Sequence, residues 1–390
     1  MYFFVSSYSL LQKLHTLYRI INHNNSNAEF FIFRIIKNKL EIKVLYDYEN
    51  VVNTFIKINV KKNTKEEAVI STNLIINVLS TFHDEMLLFK KKKNSLSICS
   101  KQGTCEVPIS SIHKHSIDFL RKKRSILVKS TSSIKITLYS NVLLKILNKT
   151  LFAVGNKEFK PILNGVLFQF SPYEANFVST DTFRMVKYTI KNLKFDRNIE
   201  FTVPKKSLNI IREILKNENN SNIVIEYKNN INIVFHFENH IFSCKLINEK
   251  YPDYNSVIPN RNWDVLLIIN RLLLLNTIRR ISIFSKKNRN NFIYLHLNRN
   301  NLKICEFEQE NINNFESNIK CKPIFDGLSK LEKIKMGFNS KFLIEILSCL
   351  NENFILFELH HSKKIGILRP CSDKYDKKEE SIFILIMSTI

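Results

Sequence analysis

Leu208-Asn209-Ile210-Ile211-Arg212-Glu213-Ile214-Leu215 places apolar residues three and four positions apart, the spacing of one helix face, and the chain carries this pattern twice more. The other copies are Ile75-Ile76-Asn77-Val78-Leu79-Ser80-Thr81-Phe82 and Leu343-Ile344-Glu345-Ile346-Leu347-Ser348-Cys349-Leu350. Each follows a polar start suited to an N-cap: Ser71-Thr72-Asn73, Lys206-Ser207 and Asn339-Ser340. The copies begin at positions 75, 208 and 343, so about 134 residues separate them, a common domain size. Three similar domains are therefore expected, over residues 1–131, 132–258 and 259–390.

A second amphipathic helix is expected near the start of each third, over Ser9 to His23, Ser140 to Val154 and Asp264 to Arg280. Between the helices lie runs rich in Ile, Val, Phe and Tyr, broken by turns such as Lys228-Asn229-Asn230 and Asn298-Arg299-Asn300-Asn301. The fold class is α+β, each domain being two helices packed on antiparallel sheet. Residues 109–131, with Arg121-Lys122-Lys123-Arg124, form a basic interdomain connection that is either a solvated charge run or a DNA contact.

With 390 residues, 44% of them hydrophobic, the chain can bury several cores. Its net charge of +24, from 59 basic and 35 acidic residues, points toward an anionic partner such as nucleic acid. Abundant Lys, Asn, Ile and Phe beside only 6 Gly and 1 Trp is also the skew of AT-rich coding, which accounts for part of the lysine excess. Seven cysteines show no Cys-x-x-Cys pair, so neither a zinc site nor a disulfide framework is expected. The apolar start at Met1-Tyr2-Phe3-Phe4-Val5 lacks a basic flank, and the run from Val265 to Leu275 is too short to span a bilayer. A cytoplasmic protein without membrane contact is the expectation.

Four ordered blocks carry a family resemblance: Lys160-Pro161-Ile162-Leu163-Asn164-Gly165-Val166-Leu167-Phe168; Val178-Ser179-Thr180-Asp181-Thr182-Phe183-Arg184-Met185; Phe201-Thr202-Val203-Pro204-Lys205-Lys206; and Phe242-Ser243-Cys244-Lys245-Leu246-Ile247 leading to Tyr251-Pro252-Asp253-Tyr254. In order and spacing they resemble the middle domain of the bacterial sliding clamp, the beta subunit of DNA polymerase III. The resemblance implies three sliding-clamp domains per chain and a head-to-tail dimeric ring around double-stranded DNA, held without sequence preference. It implies a homodimer, the replicative polymerase catalytic subunit and an ATP-dependent clamp loader as partners, no cofactor and no catalysis.

The basic residues available to face DNA are Lys13, Arg19, Lys145, Lys149, Lys160, Lys205, Lys206, Arg212, Arg271, Arg279, Arg280 and Lys341. By matching positions, a pocket for partner peptides would be walled by Leu163, Thr180, Thr182, Phe183, Arg184, Met185, Pro252, Ser256 and Val257, with Asn339, Phe342 and Met387 from the last third. Leu163, Met185 and Val257 could equally be core, and Arg184 could form an ion pair with Asp181. Ring closure would set Cys105 and Val107 of one copy against Ile283 and Phe284 of the other, an edge-strand pairing with an apolar seam. The chain departs from the family pattern in three places. Asp181-Thr182-Phe183-Arg184-Met185 replaces the usual Asp-Gly-His-Arg-Leu, Ser256 stands near an expected arginine, and Ile386-Met387-Ser388-Thr389-Ile390 replaces a Met-Pro-Met ending. These changes imply an altered pocket specificity.

Two other classes compete. His236 and His240 have the spacing of a helical metal pair, but Ile231 to Phe237 alternates like a strand, so the pair flanks a hairpin. His360-His361, His113 and His115 lack ligand partners at the right spacing, and neither a nucleophile elbow nor a Gly-rich phosphate loop is present. A general, non-ring, basic nucleic-acid-binding protein would explain the charge and leave the threefold pattern unexplained.

Overall fold

A computed structural model describes the chain apart from residues 23–28, 46–49, 63–65, 111–132, 157–159, 229–230, 260–262, 288–290, 299–300, 307–315, 326–332, 372–378 and 389–390. The expected basic connection around Arg121 and the pair His113 and His115 lie outside the described residues.

Element order repeats three times along the sequence. The first copy runs β1 (Tyr2–Ser6), α1 (Ser7–Asn22), β2 (Phe30–Ile36), β3 (Lys39–Leu45), β4 (Val51–Lys57), β5 (Asn59–Lys62), β6 (Glu67–Ser71), α2 (Thr72–Ser80), β7 (Met86–Lys91), β8 (Ser95–Ser100) and β9 (Gly103–Pro108). The second has β10 (Ile134–Tyr139), α3 (Ser140–Thr150), β11 (Gly165–Phe170), β12 (Ala175–Thr180), β13 (Arg184–Ile190), β14 (Ile199–Pro204), α4 (Lys205–Leu215), β15 (Asn222–Lys228), β16 (Asn232–His236) and β17 (His240–Lys245). The third has β18 (Val265–Asn270), α5 (Arg271–Lys287), β19 (Phe292–Asn298), β20 (Asn301–Cys305), β21 (Glu316–Lys320), β22 (Lys322–Phe325), β23 (Lys333–Asn339), α6 (Ser340–Cys349), β24 (Phe354–His360), β25 (Ile365–Pro370) and β26 (Glu380–Met387). The first and third copies each add one strand, β5 or β22, which pairs with that copy's opening strand.

The three copies of the opening motif all form helix. In α4 the buried residues Leu208, Ile211 and Leu215 recur every three or four positions, the apolar stripe that a surface helix turns to its core. Asn339 caps α6 by accepting the amide hydrogens of Lys341 (3.0 Å) and Phe342 (3.3 Å). The helix expected from Asp264 to Arg280 requires correction. Residues 265–270 form β18, with Val265, Leu267 and Ile269 buried on one face, and helix starts only at Arg271. Asn270 sets the break: its side chain accepts the Leu273 amide hydrogen at 2.9 Å, as an N-cap does.

The chain forms two compact units. One comprises Met1–Leu144 and Lys206–Leu246; the other comprises Lys145–Lys205 and Ile247–Ile390. The first unit holds a five-stranded sheet, β5-β1-β7-β8-β9, and an eight-stranded sheet, β10-β15-β16-β17-β4-β3-β2-β6. The second holds a nine-stranded sheet, β14-β11-β12-β13-β26-β25-β24-β18-β22, and a four-stranded sheet, β21-β20-β19-β23. All described pairings between named strands are antiparallel. Each long sheet is joined at the same place in the repeat, β4 against β17 and β13 against β26.

Phenylalanine fills the cores. Phe3 stacks on Phe89 at 5.1 Å in the first unit, and in the second Phe168 meets Phe177 edge-on at 5.1 Å and Phe201 at 5.4 Å. Such pairs contribute about 0.5–1.5 kcal/mol each beyond burial alone. Gly165 explains one fixed position of the Asn164-Gly165 block: a Cβ there would lie 2.6 Å from the Val203 carbonyl oxygen and 2.8 Å from Thr202, so only glycine lets β11 pack so closely on β14. Among the described residues no helix is long and apolar enough to cross a membrane.

Candidate functional site

The turn between β12 and β13 is built by its own polar side chains. The Asp181 carboxylate accepts the amide hydrogens of Phe183 and Arg184, both at 3.0 Å. Thr180 accepts from the Thr182 amide at 3.1 Å and donates its hydroxyl to the Arg184 carbonyl at 2.7 Å. Thr182 sits between them at a φ of 80°, a region that β-branched side chains avoid. These bonds hold a threonine where the family pattern has glycine.

Arg184 is 6% exposed and fully engaged. Its Nε donates to Asp181 at 2.9 Å, one terminal nitrogen pairs with Glu345 on α6, and the other donates to the Phe152 carbonyl at 2.6 Å. The guanidinium lies over the Phe342 ring at 4.2 Å and faces Phe152 at 5.3 Å. A buried cation is tolerated when its donors are met in this way. The sequence left open whether Arg184 pairs with Asp181, and the structure contains that pair. It also ties in Glu345 and Phe152, whose distance along the chain concealed them.

Beside this network Leu163 and Met185 are buried in an apolar cluster with Tyr251, Tyr254, Ile365 and Leu385. Burial raises the Tyr251 and Tyr254 hydroxyl pKa values above the ordinary range. Tyr254 donates to Gln169 at 2.7 Å, and Ser256 donates to the Asp253 carbonyl at 2.7 Å, fixing the short 3₁₀ turn that presents Val257. Large apolar side chains stand exposed on this part of the molecule: Phe183 at 53%, Val257 at 55% and Met387 at 44%. The Met387 amide donates to the Phe183 carbonyl at 2.8 Å, and the Phe183 and Phe342 rings lie 6.4 Å apart. The structure thus gathers Thr180, Thr182, Phe183, Arg184, Phe342 and Met387 around one turn. Leu163 and Met185 serve as buried floor, Pro252 and Ser256 are exposed beside Val257, and Asn339 is occupied as the α6 cap.

The candidate DNA-facing residues divide. Lys13 and Arg19 on α1, Lys206 and Arg212 on α4, Arg279 and Arg280 on α5, and Lys341 on α6 are half-buried or exposed, and Lys160 is exposed before the Pro161 turn. Four others have polar partners within the chain. Lys149 is buried and held by the Cys349 carbonyl, and Lys145 pairs with Glu380. Arg271 donates to the carbonyls of Glu352 (2.7 Å) and Leu347 (3.0 Å) near the end of α6, and Lys205 donates to the Val154 carbonyl at 3.1 Å. Periodicity could not reveal this, because the acceptors are main-chain oxygens far along the chain.

Cys105 and Val107 lie on β9, where Val107 points into its own core and Cys105 is half-buried. The edge-strand pairing expected of Ile283 and Phe284 is corrected: both lie on the helix α5, whose backbone hydrogen bonds are used within the helix, and Ile283 is 60% exposed there. His236 and His240 end and begin adjacent strands, as the hairpin reading requires. His236 lies 3.2 Å from Glu226. Buried His240 has its pKa lowered to about 4, first by desolvation and then by Lys13.

Residues 137–253 match the family "DNA polymerase III beta subunit, central domain", and residues 255–381 match its "C-terminal domain". Together these matches cover more than half of the chain, and the protein belongs to the DNA polymerase III beta-subunit family, the bacterial sliding clamps. It is 26% identical to the beta sliding clamp of Rickettsia felis over 246 residues, 62% of this chain and 63% of that protein. The match to the Haemophilus influenzae beta sliding clamp is 27% over 243 residues and likewise spans 63% of the relative. With the Mycoplasma capricolum beta sliding clamp it is 21% identical over 97% of this chain and 98% of that one. In fold it resembles the DNA polymerase III subunit beta of Pseudomonas aeruginosa, with a TM-score of 0.82, 18% identity and full coverage of both chains. The Thermotoga maritima beta subunit gives a TM-score of 0.79 at 15% identity, covering 100% of this chain and 99% of that one.

Proposed function

We propose that the protein is a sliding clamp, in which two copies close head to tail into a ring around duplex DNA and tether the replicative polymerase to it. The observation that carries this reading is the sheet order. β4 joins β17, and β13 joins β26, in each case a fourth strand of one repeat against the last strand of the next. The same rule applied once more requires β21 against β9. Both are edge strands of their sheets, and the two sheets have four and five strands, so joining them would give nine, as in the second unit. Antiparallel pairing between β21 of one copy and β9 of another is the third joint of a closed series.

In this reading the domains are 1–131, 132–258 and 259–390. Lys13, Arg19, Lys160, Lys206, Arg212, Arg279, Arg280 and Lys341 hold phosphates loosely. Such contacts carry no base information and permit sliding. The exposed Phe183, Val257 and Met387 receive apolar segments of the polymerase and of an ATP-dependent loader. The role is non-catalytic and cytoplasmic.

Light scattering across dilution tests closure: a species near twice the 46.0 kDa chain mass is expected, and Ile283→Asp should yield monomer. A clamp loaded on nicked circular DNA should resist high salt until the circle is linearised. Equal release from circular and linear DNA would instead favour the non-ring nucleic-acid-binding protein.

A further inference from the structure

The first unit contains an open cleft of about 970 Å³, remote in sequence from every residue of the Arg184 site. Its apolar lining includes Phe4, Ile36, Phe55 and Met86, of which Ile36 and Met86 are exposed. A smaller cleft of about 400 Å³ shares Ser9, Lys39, Phe55, Ile56 and Lys57 with it and extends to Lys13. The walls are tied together. The β2–β3 turn carries Lys37 at a φ of 53°, and the Ile58 amide donates to the Asn38 carbonyl at 3.1 Å, joining that turn to the β4–β5 connection.

Four cations line this trough: Lys13, Lys37, Lys39 and Lys57. Among the described residues none of them is in an ion pair, and Glu238 is the single acidic residue of the lining. An apolar floor beneath uncompensated ammonium groups complements a ligand that is apolar and anionic together. The floor's exposed large apolar side chains, Ile36 and Met86, are not aromatic, which suits the side chains of a peptide better than the stacking of bases.

We propose that this trough is a second docking site, on the first repeat, for an acidic linear peptide segment bearing large apolar side chains. A fluorescein-labelled peptide alternating Asp with Leu and Phe is the probe, titrated by fluorescence anisotropy against the full-length chain. The wild-type protein should bind it with an affinity that falls as salt rises. Lys37→Glu/Lys39→Glu/Lys57→Glu should weaken binding by about tenfold or more. Met86→Asp, a change on an exposed side chain, should weaken it independently and serves if the triple variant fails to fold. The proposal is overturned if wild-type protein does not bind the probe, or if both trough variants bind it as wild type does. It is also overturned if Phe183→Asp alone abolishes binding, or if oligothymidylate displaces the probe and loses affinity in the same trough variants.

Discussion

Two joints occupy the same place in the repeat and are built differently. The β13–β26 joint runs through seven facing pairs, from Arg184 and Ile386 to Ile190 and Glu380, and ends at the Arg184 network and the exposed Phe183 and Met387. The β4–β17 joint has four pairs, His240 with Thr54 through Ser243 with Val51, and its end is a buried neutral histidine beside a buried Thr54. Thr54 donates to the Asn239 carbonyl at 2.9 Å. One topology therefore gives a joint fastened by charge and another fastened by burial. The first ends beside the exposed Phe183 and Met387, the second beside the cleft lined by Phe55, Lys57 and Glu238.

The largest test of this contrast is Arg184→Ala. It leaves Asp181 with only its two amide donors, unpairs Glu345 and removes the ring contact with Phe342, so a stability loss of about 3 kcal/mol is expected, with Glu345 contributing less because it is half exposed. Denaturant titration measures it. Arg184→Lys should recover little, since an ammonium cannot reach three acceptors in a plane. A silent Arg184→Ala would mean that strand pairing alone fastens the joint.

Acid should act on the other joint. The His240 pKa is about 4 in the fold against 6.5 in the unfolded chain, so between these values the unfolded state binds the extra proton and stability falls as pH falls. From pH 7 to 5 the loss should be about 2 kcal/mol, and His240→Gln should remove most of this dependence. Unfolding curves at both pH values give the comparison; identical pH dependence in the variant would assign acid sensitivity elsewhere. The smallest effect belongs to Thr182→Gly, which relieves the positive φ and should raise stability by about 1 kcal/mol, read from the same titration. Destabilisation would show that the Thr182 side chain contributes more to the turn than its backbone costs.

Elements whose pattern is local could be read from the sequence. The helix at 208–215 and its two copies announce themselves by spacing, and the hairpin flanked by His236 and His240 by alternation. Residues 265–270 misled because a run of Val, Leu and Ile satisfies helix and strand templates alike, and Asn270 alone marks the change. Within the site, Asp181 with Arg184 was legible as a short-range pair. Glu345 was not, lying 161 residues from Arg184, and the main-chain acceptors of Lys149 and Arg271 leave no mark in composition or charge.

The β13–β26 pairing also fixes when the molecule can be finished. Arg184 must wait for Ile386, a strand made about 200 residues later, so the edge of β13 stands open through the synthesis of the whole last repeat. Ribosome-bound chains truncated before β26 should therefore present an unpaired β13 edge, and the Arg184 clamp should be among the last native contacts to form.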